Sequence, residues 1–284
     1  MGKFDKGINN IMKKLKVPLA VIAILLIVNN FVGIFVNLRN PAIYTDPTNE
    51  FPNDITLTEA QFYQALNQVS GDRVQILTQI NAIVNQGIAH NWHDNDIEKY
   101  HLRVPFYENY ILFATSFIYP DLFLKYQFVD YRRAVERGVG LCSQEAIVET
   151  GILRERGIKA DIVGLDGHVV VTAPVDETQN VWWIFDPDYG VVIPNNISQI
   201  ENNPELVRPY YTAKGYTVQK VNDLVTYYGG VGNKVTDGII GYSRFRYYYE
   251  YACYIMIWVI PLVLLLPLGV STAQRLFKKG SPTL

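Results

Sequence analysis

Two long uncharged stretches, one near each end, restrict what this chain can fold into more than any other feature. Val17 to Val36 (VPLAVIAILLIVNNFVGIFV) and Tyr251 to Val270 (YACYIMIWVIPLVLLLPLGV) are each 20 residues without a charge. At about 1.5 Å rise per residue, a helix of that length spans the roughly 30 Å hydrocarbon core of a bilayer. A soluble core helix carries a polar stripe, and neither run has a charged face to turn toward water. Two transmembrane helices are therefore expected, over 17–37 and 251–270. Asn29 and Asn30 interrupt the first run and Pro261 and Pro267 the second, which is tolerated where neighbouring helices or water satisfy the backbone. A cleaved signal peptide is the rival reading of the first run, because Lys3, Lys6, Lys13, Lys14 and Lys16 precede it, but no small-x-small cleavage site follows.

Those five lysines, and Arg275, Lys278 and Lys279 at the other end, flank the apolar runs on their outer sides. The positive-inside rule then makes 1–16 and 271–284 cytoplasmic tails of a multi-pass cell-membrane protein, with the middle extracytoplasmic. From 38 to 250 the chain holds 17 Lys plus Arg against 26 Asp plus Glu, net −9, a balance hidden by the whole-chain value of −2. An acidic middle argues against nucleic acid or an anionic lipid surface as its main partner.

Only two cysteines occur, and Cys253 falls inside the second apolar run, so Cys142 is the sole thiol of the middle segment and cannot form an internal disulfide there. An unpaired thiol outside the cytoplasm is exposed to oxidation and is most simply explained if its chemistry is used; a buried inert cysteine is the plainer alternative.

Residues 38–55 begin with a stretch rich in Pro, Asn, Thr and Asp and read as a linker that lifts the domain off the membrane. A helical layer is expected over 56–130, with Thr56 and Glu59 at capping-box spacing, a second helix from Arg73 to Gln86, and an aromatic stretch from Tyr107 to Tyr131. His90, His93 and His101 with Asp94 and Asp96 offer metal-ligand residue types without a metal-binding spacing, so this segment reads as a polar loop. No cofactor is expected. From 131 to 245 the pattern changes. Gly138 and Gly140 break the preceding element, and Ser143 to Arg156 is helical up to Gly157, which places Cys142 at a helix N-terminus. Backbone N–H groups and the positive end of the dipole stabilise a thiolate there.

Strands are expected at Ala160 to Gly164, His168 to Thr172 and Val181 to Asp186. If the last two form a hairpin with Pro174 opposite Asn180, the antiparallel register sets His168 opposite Asp186, with Cβ atoms about 4.5–5.5 Å apart. At that reach an aspartate orients an imidazole and balances its charge.

Three motifs in order, Gly138-x-Gly140-x-Cys142, Arg154-x-Arg156-Gly157-Ile158-x-Ala160, and a His168-bearing strand followed by Trp183-x-x-Asp186-Pro187, resemble the transglutaminase-like superfamily of papain-like fold over about Arg137 to Tyr189. The resemblance implies an α+β core in which the helix bearing the cysteine packs on an antiparallel sheet bearing the histidine and aspartate. It also implies Cys142 as nucleophile, His168 as general base and then acid, and Asp186 as the orienting carboxylate. Val169-Val170 and Asp188 depart from the family's usual Ala-Trp and Thr. The activity implied is acyl transfer or amide and peptide hydrolysis on a protein, peptide or modified glycan. A cell-wall cysteine peptidase is the nearest rival among enzymes. A non-catalytic scaffold whose helices dock a membrane partner protein is the alternative of another class. Asn196-Ile197-Ser198 reads as a surface turn, and Tyr247 to Tyr249 as interfacial anchors.

Overall fold

A computed structural model describes residues 2–48, 51, 55–230 and 232–279, with side chains described within 15–269. The side chains of Lys3, Lys6, Lys13 and Lys14, and of Arg275, Lys278 and Lys279, lie outside this set, as do residues 49, 50 and 52–54 of the expected linker. The chain begins with α1 (Gly2–Phe35). Then come α2 (Glu59–Gln68) and α3 (Arg73–Gly87), each opened by a capping box, Thr58 with Gln61 and Asp72 with Gln75. The first cap thus lies two residues beyond the expected Thr56. The two-residue β1 (Ala89–His90) pairs in parallel with β2 (Val139–Gly140); between them lie α4 (Tyr110–Ile118), α5 (Pro120–Phe123) and α6 (Tyr131–Arg137). The aromatic stretch is thus broken into pieces, because Pro120 ends α4 and starts a new turn.

Next come α7 (Cys142–Glu155), β3 (Asp161–Gly164), β4 (Val169–Asp176), β5 (Val181–Asp186) and β6 (Val191–Ile193). After α8 (Ile197–Asn202), α9 (Arg208–Ala213) and α10 (Val218–Tyr228), β7 (Lys234–Thr236) completes an antiparallel sheet of order β6-β5-β4-β3-β7. The short α11 (Gly238–Tyr242) leads into α12 (Arg244–Lys279). The class is α+β, with helices on both faces of one sheet. Ile162, Val171, Ala173 and Phe185 bury one face against α3 and α7, while Val163, Val170 and Ile184 bury the other against Tyr211, Val221, Leu224 and Tyr228 of α9 and α10. Period-two alternation supplies both sets from the same strands. Asn196 is a helix cap, its side chain accepting from Gln199 N in the turn before α8.

Leu15–Phe35 and Arg244–Gly269 are long and apolar enough to cross a membrane. They pack against each other: Asn30 Nδ2 donates to Ile257 O at 2.6 Å, and Phe31 meets Trp258 edge-on at 5.6 Å. The head of α12 belongs to the central domain. Glu250 is buried and accepts from Val129 N, Asp130 N and Tyr126 OH, and Cys253 joins the main core. Tyr249 likewise turns inward, bonding Thr115 Oγ1 at 2.6 Å.

The segment after α1 differs from the expected spacer. Leu38 and Ile43 are fully buried, and the Arg39 guanidinium donates to Tyr44 Oη and to the carbonyls of Leu57, Gly87, Val135 and Glu136. The reason is chemical: a guanidinium has five donors, and here each helix end or turn around it offers a spare carbonyl.

Candidate active site

Cys142 opens α7, and the residue before it, Leu141, gives the helix no side-chain cap. Its position is fixed from below by polar groups that the core encloses. Gln144 is fully buried, bonding Phe128 N and O at 2.8 Å each, and Arg137, also fully buried, donates to Val139 O, Tyr126 O and Gln144 Oε1. Burial pulls this guanidinium down to about 9, against the field of Glu250. Both glycines of the motif are required by space. Gly138 has φ +69° and faces the Arg39 guanidinium; a Cβ on Gly140 would lie 2.5 Å from Gln144 Cβ.

His168 stands just before β4 and Asp186 ends β5. The observed register pairs Val171 with Phe185 and Pro174 with Trp182, then slips to Asp176 opposite Val181. It is displaced by two residues from the register expected with Pro174 opposite Asn180. The Asp176 carboxylate causes the difference by accepting from Thr178 N, Thr178 Oγ1 and Gln179 N, which tightens the turn and leaves a bulge beside Pro174. A two-residue shift keeps every side chain on its face. His168 therefore still reaches Asp186, diagonally rather than directly across, with Nε2 to Oδ2 at 2.8 Å.

The other ring nitrogen looks toward the helix. The Cys142 Sγ, a His168 nitrogen and an Asp188 carboxylate oxygen lie within 4.8 Å of one another, and His168 Nδ1 is 4.0 Å from Asp188 Oδ2. Burial alone would lower the basicity of His168. The charge and hydrogen bond of Asp186, joined by Cys142, overcome that and raise it well above the ordinary imidazole value. The structure thus brings together the three residues singled out in the sequence.

Several partners have no signal in the sequence. Tyr211 OH donates to Asp186 Oδ2 at 2.5 Å and meets Tyr228 OH at 3.0 Å, while Tyr189 N donates to Asp186 Oδ1. Burial first, and Asp186 second, hold both phenols well above their ordinary range, so they remain donors. Tyr242 from α11 reaches Ser143 beside Cys142; burial and then Cys142 raise it, leaving a neutral phenol at the start of α7. A groove of about 410 Å³, lined in part by Trp92, Leu124, Lys125, Leu141 and Arg246, runs up to the Cys142 turn.

The three histidines of the polar stretch disperse. His93 Nε2 binds Thr48 O, His101 Nδ1 binds Leu38 O, and His90 Nδ1 contacts Asp188 Oδ1 at 2.5 Å. Two donor sets sharing Asp188 could hold a cation, Cys142 with His168 and His90 with Glu145. Comparison with protein-family models, curated proteins and solved structures finds no match to this chain.

Proposed function

We propose that the chain is a membrane-anchored, transglutaminase-like cysteine enzyme acting outside the cytoplasm on an amide or peptide bond of a protein, peptide or modified glycan. The observation that carries this reading is the buried imidazole of His168, with Nε2 on Asp186 and its other nitrogen turned to the Cys142 sulfur. The Cys142 thiolate attacks the carbonyl carbon, forming an S–C bond and moving the carbonyl electron pair onto oxygen. The resulting oxyanion is met by the backbone N–H of Cys142 at the uncapped helix start and by the Tyr242 hydroxyl. As the tetrahedral intermediate collapses, the C–N bond breaks and His168 gives its Nδ1 proton to the leaving amine. Water or a second amine then attacks the thioester and returns a proton to His168, and cleavage of the C–S bond restores the thiolate. Asp186 keeps its charge throughout and balances the imidazolium.

Complementation of a deletion strain with variants at matched membrane abundance tests this reading, together with mass spectrometry of what becomes acylated on Cys142. Cys142→Ala is expected to abolish complementation, His168→Ala to cost nearly as much, and Asp186→Asn somewhat less. The Cys142→Ala, His168→Ala pair should be no worse than Cys142→Ala alone, because the residues act as a unit. Full complementation by Cys142→Ala would refute catalysis in favour of a scaffold.

A further inference from the structure

One contiguous apolar patch on the central domain lies against the two long helices. Phe106, Phe117, Ile118, Tyr119 and Leu122 are 46–68% exposed; Val181, Val218 and Val235 each stand on a separate element, and a second exposed group, Phe245 and Tyr248, lies at the head of α12. Phe106 lies four residues before α4, and the other four come from the stretch that forms α4 and α5, which carries no charge from Asn109 to Pro120. The charge just before it, Glu108, turns inward to Tyr254 OH at 2.5 Å and Arg133 Nε at 3.4 Å.

Contacts with both apolar runs fix the depth at which this stretch begins, and Thr115 and Phe123, which both meet Tyr249 two residues before the second run, put its far end at the edge of that run. Asn29 Nδ2 donates to Phe106 O at 3.1 Å, and Gly33 approaches Tyr107 so closely that a Cβ there would lie 2.2 Å from Tyr107 O. Tyr110 OH donates to Ile257 O at 3.0 Å. Asn29 lies seven residues inside the end of the first run at Val36, and Ile257 six residues inside the start of the second at Tyr251. At about 1.5 Å per residue both measures give roughly 10 Å. Two independent runs agree, and the value matches the roughly 5–10 Å to which in-plane amphipathic segments sink into the headgroup and acyl boundary.

We infer that α4 forms a third membrane-seated element, slanting from the acyl boundary at Tyr110 to the headgroup level at Tyr119, with Phe106, Phe117 and Ile118 facing lipid. Arg103, whose guanidinium lies 4.4 Å over the Phe117 ring, and Asp121 supply the polar border such an element needs at the headgroups. The inference rests on the reading of α1 and α12 as membrane spans.

Nitroxide labels on the full chain in nanodiscs of phosphatidylcholine and phosphatidylglycerol test it, in a Cys142→Ala, Cys253→Ala background. Labels are placed at Ile118→Cys, at Val263→Cys on the second span and at Val218→Cys on α10, and each is read for its accessibility to oxygen against a water-soluble nickel chelate. The oxygen-to-nickel ratio at 118 is expected to exceed that at 218 severalfold while staying below that at 263. A ratio at 118 equal to that at 218, with 263 lipid-like, overturns the inference while leaving the spans standing. A water-like 263 overturns the spans and the inference with them. Tyr119→Cys replaces Ile118→Cys if that variant does not fold.

Discussion

The carboxyl of Glu149 shows how far the surroundings of the Cys142 helix depart from water. It lies two turns along α7 with one oxygen accepting from Asn81 Nδ2 at 3.2 Å and the other without a hydrogen-bond partner among the described residues. Burial raises it to about 8, partly offset by the Asn81 hydrogen bond, with Asp186 adding to the rise. Because the folded value lies above the ordinary 4.5, the native state holds the proton more tightly than the unfolded chain. Its stabilising contribution is complete below about 4.5 and is lost as pH rises through about 8. Glu149→Gln should flatten this dependence and stabilise the protein by a few kcal/mol above pH 8, as read from thermal unfolding at a series of pH values. Cys142, His168 and Asp186 are legible in the sequence because their motifs fall in one local helix and one hairpin. Tyr211, Tyr228 and Tyr242 are not, since each arrives from an element whose place depends on packing across the sheet or at the head of α12. Asp188 was legible only as a departure from the family pattern.

Among the elements, the β4–β5 hairpin shows which part of a register a sequence specifies. Alternation fixes the face, so His168 and Asp186 were bound to share one; the turn fixes the offset, and the side-chain bonds of Asp176 were not legible from strand pattern alone. The bounds of α3 are legible from its apolar periodicity and those of α7 from the glycines on either side of it, whereas the breaks in the aromatic stretch before α6 are not, because hydrophobic content without clear periodicity leaves them to a single proline. The turn into α7 yields a sharper test. Gly140→Ala would drive a Cβ against Gln144, which is held on both sides by Phe128. A loss of about 1–3 kcal/mol and slower alkylation of Cys142 by iodoacetamide are expected. Gly164→Ala, which meets only Lys234 O at 4.0 Å, should change neither.

At the scale of the whole molecule, the second long helix has two parts of different character. Its head completes the domain through Glu250 and Cys253, and its remainder carries the apolar run. The sequence marks the end of charge at Glu250 but gives no sign that this carboxylate gathers three donors from the turn before α6. A chain ending at Ser243 should therefore lose native near-ultraviolet dichroism and resistance to protease, because Val129 N, Asp130 N and Tyr126 OH are left without their acceptor. A chain ending at Ile257 should keep both. Arg39 has a further consequence. With its guanidinium bolted into five acceptors only four residues after α1, the domain stands on two short posts and not on a leash. Under the proposed membrane-anchored reading, the height of the Cys142 thiol above the lipid is then set by the fold, like the fixed stylus of a gauge, and bonds presented at another height pass out of its reach.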